Sequence, residues 1–289
     1  MKASSSKTGQ LRKLIRGGCV AMPGAYNAAT ARLIEKAGFA AVYVSGAGLA
    51  NATVGVPDIG LLGLAEFAQL AGYAARAVKI PTLADADTGF GGAANAAAAV
   101  QAYERAGLAG MHLEDQVFPK RCGHLAGKAV VPLEEMTEKI RAAVKARRDP
   151  DFLIVARTDA RAVEGFTAAV ERAKAYLAAG ADAIFPEALE TAREFREFAK
   201  NVRAPLMANM TEFGRSPLLT VRQLAAAGYR MVIFPQTAFR VSMHAMEECL
   251  RDLQRRGSQR TWLNKMQTRA ELYELLGYDP KSGDFSGGG

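Results

Sequence analysis

Thr82-Leu-Ala-Asp85-Ala-Asp87-Thr-Gly89, the alanine-rich stretch 93–106, and then Gly110-Met-His112-Leu-Glu114-Asp115 form the segment whose reading decides the fold. A short β-type run ends in polar residues and glycine, a helical stretch follows, and a second β-type run ends in polar residues again. That order is the signature of a βαβ unit, in which buried parallel strands are joined by crossover helices. Working outward, the same alternation recurs in both directions. The candidate strands are 19–23, 41–44, 82–85, 110–113, 152–156, 183–186, 206–209 and 231–235. Helices such as 93–106, 132–147, 165–179 and 220–227 lie between them, most closing at glycine, and a helix at 11–16 precedes the first strand. Eight such units predict an α/β fold, a (β/α)8 TIM barrel with its active site at the carboxyl ends of the strands. A doubly wound open sheet fits less well, because no GxGxxG motif follows the first strand.

The chain has 289 residues, 49% of them apolar, which suffices for one large core and leads us to expect a single domain over 1–289. Beyond the eighth strand, helices at 238–254 and 263–276 are expected, so that 238–276 is helical and 277–289 a flexible tail ending in a disordered Gly287–Gly289. One closing helix completes a barrel, so the extra one is expected to pack on a neighbouring subunit. No apolar run reaches membrane-spanning length, and the polar start lacks the order of a secretory signal, so a cytoplasmic protein with no membrane partner is expected. Cys19, Cys122 and Cys249 are odd in number and show no CxxC spacing, which suits a reducing compartment. The net charge of +8 is spread over helices without an aromatic-interleaved stripe, which favours small polyanions over nucleic acid as partners.

Three constellations carry chemistry. Asp85 and Asp87, one residue apart at a strand end, are hard oxygen ligands suited to Mg²⁺, although an isolated pair of this kind also serves as a helix cap or turn. His112 and Glu114 end the next strand on one side of it, Asp115 follows, and Asp58 adds a further acid. Four converging carboxylates without matching basic side chains would repel one another, so a divalent cation is the expected resolution. The second constellation is Lys120-Arg-Cys122-Gly-His124, a glycine-containing loop in which two cations and an imidazole are expected to lower the thiol pKa and in which Cys122 would act as a mobile acid. The third is Arg157-Thr-Asp159, Glu187 and Asn209-Met-Thr211-Glu212 with Ser216, together with Arg240 and Arg269. Guanidinium groups clamp carboxylates with paired donors, and neutral donors complete a site for a multiply charged acid. Tyr43-Val-Ser45-Gly46-Ala47-Gly48 offers a phenol and backbone amides near glycine.

These motifs, with Val56-Pro-Asp58, Gln267-Thr-Arg269 and the others in order along nearly the whole chain, resemble the isocitrate lyase / phosphoenolpyruvate mutase superfamily, and within it the methylisocitrate lyase branch. The Lys-Arg-Cys-Gly-His loop is its most specific piece, because the mutase and hydrolase branches lack that cysteine. The resemblance implies a carbon–carbon lyase of propionate catabolism and the methylcitrate cycle, dependent on Mg²⁺ with Mn²⁺ as a substitute. Asp85 and Asp87 would hold the metal directly, with Asp58 and Glu114 reaching it through water. Ser45, Gly46, Ala47, Cys122, Gly123, Arg157, Glu187, Asn209, Thr211, Arg240 and Arg269 would contact substrate, and Cys122, Tyr43, Glu114 and His124 would carry the catalysis. It also implies a homotetramer that exchanges its last helix. Gly46-Ala47-Gly48 replaces the three consecutive glycines usual in that branch, and the chain lacks the long insertions of isocitrate lyases. The alternatives are cleavage of 2,3-dimethylmalate, phosphonopyruvate- or oxaloacetate-type chemistry, and a non-enzymatic metabolite-binding barrel.

Overall fold

The computed structural model describes residues 6–125 and 127–286, so the expectation for Gly287–Gly289 lies outside the described residues. Eight strands run in parallel: β1 Val20–Ala25, β2 Val42–Val44, β3 Thr82–Asp85, β4 Gly110–Glu114, β5 Leu153–Thr158, β6 Ala183–Pro186, β7 Met207–Asn209 and β8 Met231–Phe234. Their order is β6-β5-β4-β3-β2-β1-β8-β7, and the bridge Ile184–Leu206 joins the two ends, closing the (β/α)8 barrel. The helices are α1 Lys7–Gly17, α2 Ala28–Lys36, α3 Gly46–Gly48, α4 Leu64–Ala77, α5 Ala93–Ala106, α6 Leu133–Ala146, α7 Phe166–Ala178, α8 Ala192–Asn201, α9 Val221–Ala226, α10 Thr237–Arg256 and α11 Arg269–Leu276.

Local chemistry sets the boundaries. Side-chain oxygens of Asn27, Thr191, Thr220 and Thr268 accept hydrogen bonds from the first-turn amides of α2, α8, α9 and α11. Thr268 forms a reciprocal pair with Glu271, and this changes the expected helix 263–276. A 3₁₀ turn, Arg260–Lys265, comes first, and α11 starts only at Arg269, because the Thr268 cap begins a new helix there. A π-helix, Leu49–Val54, follows α3 and was not expected; it ends at Gly55 in a left-handed conformation. Residues 277–286 fold back as a small hairpin through the Tyr278–Phe285 bridge. No described helix is long and apolar enough to cross a membrane.

Apolar side chains form two layers. Val20, Met22, Tyr43, Leu83, Val155, Phe185, Met207 and Ile233 fill the barrel, and Leu11 and Ile15 of α1 join them, closing its amino-terminal end. A second layer packs helices against the outer strand faces. β3, β4 and β5 are buried along their full length, as parallel strands covered on both faces are. Register then sets neighbours at the other end: Asp85 lies beside His112, and Glu114 beside Arg157.

β1 and β8 approach too closely at Gly24 to admit a side chain, since a Cβ there would sit 2.1 Å from the Pro235 carbonyl oxygen. Backbone cannot rotate aside as a side chain can. Gly24→Ala is therefore expected to destabilise the barrel by about 3 kcal/mol, read as a lower thermal midpoint by circular dichroism. An unchanged midpoint would mean that the seam is looser than it looks.

Candidate active site

A cavity of about 600 Å³ opens at the carboxyl ends of the strands. It is lined by Tyr43, Ser45, Ala47, Asp58, Asp85, Glu114, Lys120, Cys122, Gly123, His124, Arg157, Glu187, Asn209, Thr211 and Arg240, residues brought in by six of the eight strand ends and the helix after the last. Backbone strain gathers at the same rim. Among the described residues, the only non-glycine positions in the left-handed region are Asp87, Phe90, Ala188 and Phe213, each shortly after β3, β6 or β7. Such conformations cost about 1 kcal/mol or more each and persist where the surroundings hold them.

The carboxylates are not alone, which corrects the expectation of acids without matching basic groups. The Lys120 ammonium ion-pairs with Asp58 and, at 2.6 Å, with Asp87. Glu114 Oε2 meets Arg157 Nε at 3.1 Å. Burying each of these charges costs several kcal/mol, so the sequence neighbourhood had to supply partners. The compensation is still incomplete. Burial, together with Asp85 and Asp58, raises the Asp87 carboxyl to about 7 despite Lys120. Burial also lifts Glu114 well above the usual carboxylate range, outweighing Arg157. Asp85 moves the other way: burial pushes it up, but His112, Lys120, Arg157 and the Asp87 backbone amide, 2.9 Å away, outweigh that.

His112 is fully buried, burial lowers its pKa while Asp85 opposes the shift, and Nε2 lies 2.8 Å from the Tyr43 hydroxyl. The Tyr43 hydroxyl lies 3.4 Å from Asp85 Oδ2, and burial pushes its pKa well up. Tyr43 and His112 thus brace Asp85 from inside the barrel. The Gly46 amide also donates to Asp85 Oδ2, at 3.3 Å, and a Cβ at Gly46 would lie 2.8 Å from that oxygen. Asp115 faces away from the cavity. It accepts from the Asp159 amide at 2.8 Å and the Tyr176 hydroxyl at 2.7 Å, a strut between β4, β5 and α7.

Arg157 is the hub of the anion-binding side. Its Nε donates to Asp159 Oδ2 at 2.8 Å, its Nη2 to Asp159 Oδ1 at 3.2 Å, and Nη2 faces Glu187 Oε1 at 3.6 Å. Glu187 receives the Asn209 amide at 3.3 Å on both oxygens and faces His124 Nε2 at 3.1 Å. Burial would raise Glu187, but Arg157, His124 and Lys128 hold its carboxyl far below the usual range. Asn209 Oδ1, Glu114 Oε1 and Gln236 Oε1 are buried without a hydrogen-bond partner. Orphaned acceptors at a cavity wall point to a ligand that supplies donors or a cation.

The Cys122 loop closes over this wall. Gly123 lies so near Arg157 Nη2 and Glu187 Oε1 that a Cβ would sit 2.3 and 2.4 Å from them. The Gly123 carbonyl accepts from Lys128, whose ammonium also meets Asp159 at 2.7 Å. The expected depression of the thiol pKa does not occur. Lys120 is turned toward Asp58 and Asp87, and burial raises Cys122, with Glu187 adding to the shift and the His124 backbone amide and Arg157 opposing it. That direction favours the thiol over the thiolate, although Cys122 itself reaches the surface.

The structure also shows lining residues that the sequence did not single out: Asn51, Phe185 and Gln236. Asn51 belongs to the unforeseen π-helix, and Phe185 and Gln236 lack the strand-end acid or base that marks the others. Arg269 is exposed at the start of α11 and does not line the cavity, and neither does Ser216. Arg240 lines it while pairing with Glu212 at 3.6 Å. Asp87 lies behind Lys120, on a second cavity walled by Phe90, Phe118 and Leu62. Among the described residues no three Asp, Glu, His or Cys side chains form a ready cage. Asp85 and Asp87, with the orphaned Glu114 Oε1 nearby, instead present a partial set of hard oxygen donors, the kind a divalent cation such as Mg²⁺ takes together with water. The Lys120 ammonium supplies only part of the positive charge this cluster demands.

A parallel barrel whose carboxyl-end mouth joins acids, a guanidinium hub and a loop thiol defines an enzyme site for a small anionic substrate. Residues 11–254 match the model of the phosphoenolpyruvate phosphomutase family, and the chain belongs to that family. It is similar to a 2-methylisocitrate lyase of Aeropyrum pernix, 54% identical over 269 residues that cover 93% of this chain and 86% of the relative. It superposes on the crystal structure of a 2,3-dimethylmalate lyase with a TM-score of 0.90 and 35% identity, covering 95% of this chain and 92% of the other. It also superposes on a phosphonopyruvate hydrolase in complex with oxalate and Mg²⁺, with a TM-score of 0.85 and 34% identity, covering 94% and 95% of the two chains.

Asp87 gives the site a pH signature. Its folded pKa of about 7 lies above that of an unfolded aspartate, so the native state holds a proton the unfolded chain has released, and this contribution fades as pH rises toward 7. In chelator, the thermal midpoint should fall between about pH 5 and pH 7 more steeply in the natural chain than in Asp87→Asn. Parallel profiles for the two proteins would remove Asp87 as the titrating group.

Proposed function

We propose that this protein cleaves 2-methylisocitrate to pyruvate and succinate in the cytoplasmic methylcitrate cycle, with magnesium as its cofactor. The observation that carries this reading is that one cavity holds Asp58, Asp85 and Glu114, the Arg157 hub and the Cys122 thiol together, with Asp87 behind Lys120 at its edge. The similarity to 2-methylisocitrate lyases, at 54% identity against 35% for the dimethylmalate lyase, supports the choice of substrate. Three free cysteines and the absence of a long apolar helix among the described residues are compatible with the location.

Asp85 and Asp87 would hold Mg²⁺ directly, with Asp58 and Glu114 acting through water, and the ion would supply Lewis-acid polarisation of the substrate's 2-hydroxyl and adjoining carboxylate. Glu114 accepts the hydroxyl proton. Its Oε1 is buried at the cavity wall without a hydrogen-bond partner and is free to accept, whereas burial pushes the Tyr43 phenol up. The hydroxyl oxygen becomes the carbonyl of pyruvate as the C2–C3 bond breaks, and that electron pair moves to C3 and its carboxylate. Arg157, Asn209, Thr211 and Arg240 line the side where this charge develops, and Ser45, Gly46 and Ala47 lie on the pyruvate side, where preorganised donors stabilise charge without rearranging. Cys122 delivers its proton to C3, giving succinate, while Glu187 holds His124, Gly123 and Arg157 in place around it.

α10 supports a homotetramer with helix exchange. None of its residues is buried, and Met243, Met246, Leu250 and Leu253 form one exposed apolar face at helical spacing. Packing of α10 and α11 on a neighbouring subunit would cover that face and carry Arg269 toward another barrel.

The test is pyruvate release, coupled to lactate dehydrogenase, from 2-methylisocitrate, 2,3-dimethylmalate and isocitrate, the last also read as glyoxylate, with Mg²⁺ and with chelator. Preferred cleavage of 2-methylisocitrate, lost in chelator, is expected. Preference for dimethylmalate would keep the mechanism and change the substrate, and release from none would end the lyase reading. Cys122→Ser is expected to lower kcat by about 10³-fold with KM within a few fold, since the thiol acts only after binding. Near-normal turnover in that variant would remove the thiol from the proton transfer.

A further inference from the structure

Arg215 lies in the loop after β7, outside the cavity, yet it is fastened to the loop that carries the thiol. Its backbone amide donates to His124 Nδ1 at 3.0 Å, and its guanidinium Nε donates to the His124 carbonyl at 3.2 Å. Nη1 of the same guanidinium reaches back to Glu190 Oε1, 3.6 Å away, in the segment after β6. Glu190 is itself fixed. Its Oε2 accepts from Arg161 at 2.9 Å, and its amide donates to Glu194, which Arg161 also grips at 2.7 Å. A chain of charge thus runs from the segments after β5 and β6, through Arg215, to the backbone of the residue two after Cys122.

The approach has been made room for. A Cβ at Gly214 would stand 2.6 Å from His124 Nδ1, so only glycine lets the β7 loop meet the imidazole this closely. The neighbouring Phe213 takes a left-handed conformation that is strained for a side-chain-bearing residue and is 92% exposed, so the loop has given up burial of an aromatic to place Gly214 and Arg215 against His124. The thiol loop is also held by Lys128 on the Gly123 carbonyl, by Gln116 on Arg121 and, on the cavity side, by Glu187 facing His124 Nε2. The Arg215 side chain adds a tie on the side away from the cavity, on a loop whose amplitude of opening matters to the thiol.

We propose that Arg215 is a positioning residue, a clamp anchored on Glu190 that holds the Cys122–His124 segment over the cavity and does not touch substrate. This rests on the reading of Cys122 as the proton donor, but the clamp has its own readout. Opening of the loop exposes the Lys128 peptide bond to trypsin, and cleavage in the native state reports the population of the open form. In Arg215→Ala, which keeps the backbone bond to His124, cleavage after Lys128 should accelerate about tenfold, as the loss of one charge-assisted hydrogen bond predicts. kcat should fall by a similar factor, about tenfold, with KM within about threefold and the thermal midpoint within about 2 °C, because no substrate contact and no core packing is removed. Arg215→Lys should recover part of both losses, and Glu190→Gln should mimic Arg215→Ala in part.

Cleavage after Lys128 at the natural rate in Arg215→Ala would overturn the clamp, whatever happens to turnover. A lowered kcat with unchanged cleavage would also overturn it, assigning Arg215 an effect on the reaction that does not pass through the loop. If no substrate is turned over by the natural protein, the lyase reading fails while the proteolysis comparison still decides the clamp.

Discussion

The mouth of this barrel is organised around one buried guanidinium. Arg157 ends β5 with almost no exposure and is shared among Asp159, Glu114 and Glu187. Burying a cation costs several kcal/mol unless carboxylates meet it with good geometry, and removing one partner of such a group typically costs about 3–5 kcal/mol. The three acids are therefore fixed by Arg157 as much as Arg157 is fixed by them. Everything else on this wall follows by contact. Glu187 places Asn209 and His124, Asp159 receives Lys128, and Lys128 holds the carbonyl of Gly123 beside the thiol.

A second charged unit, of opposite balance, sits across the cavity. Asp58, Asp85 and Asp87 outnumber Lys120, so Asp87 remains poised near 7 and Glu114 is lifted as well. One wall is thus saturated with fixed pairs and the other is left short of positive charge. A hydroxy-acid bound between them would meet rigid donors on the first and an appetite for a cation on the second, a division of labour that suits cleavage into two carboxylate products.

Much of this was legible in the chain. The βα alternation and the polar strand ends gave the barrel and nearly all of its cavity residues, because in a parallel barrel every strand delivers its last residues to the same mouth. The expected strand ranges differ from the observed ones by at most two residues at an end. What failed did so for identifiable reasons. Lys120 and Arg121 were expected to serve Cys122, because sequence adjacency suggests contact. Lys120 instead turns to Asp58 and Asp87, whose place in the sequence is remote and whose field is stronger. The π-helix that brings Asn51 to the cavity has no compositional mark, and the Thr268 cap that splits the last helix is a local signal that was overridden by apolar periodicity.

The amino-acid order by itself determined the class of fold, the strand ends that bear chemistry and the inventory of acids, cations and thiol, since these depend on periodicity and residue type. Only the tertiary structure decided which charges pair, which titrations shift and which loop touches which. The register of β4 against β5 sets Glu114 beside Arg157, and loops from β4 and β7 meet at His124. Such contacts join residues about 30 to 90 positions apart in the chain. They are selected by the balance of desolvation and pairing inside the barrel, which no local pattern encodes.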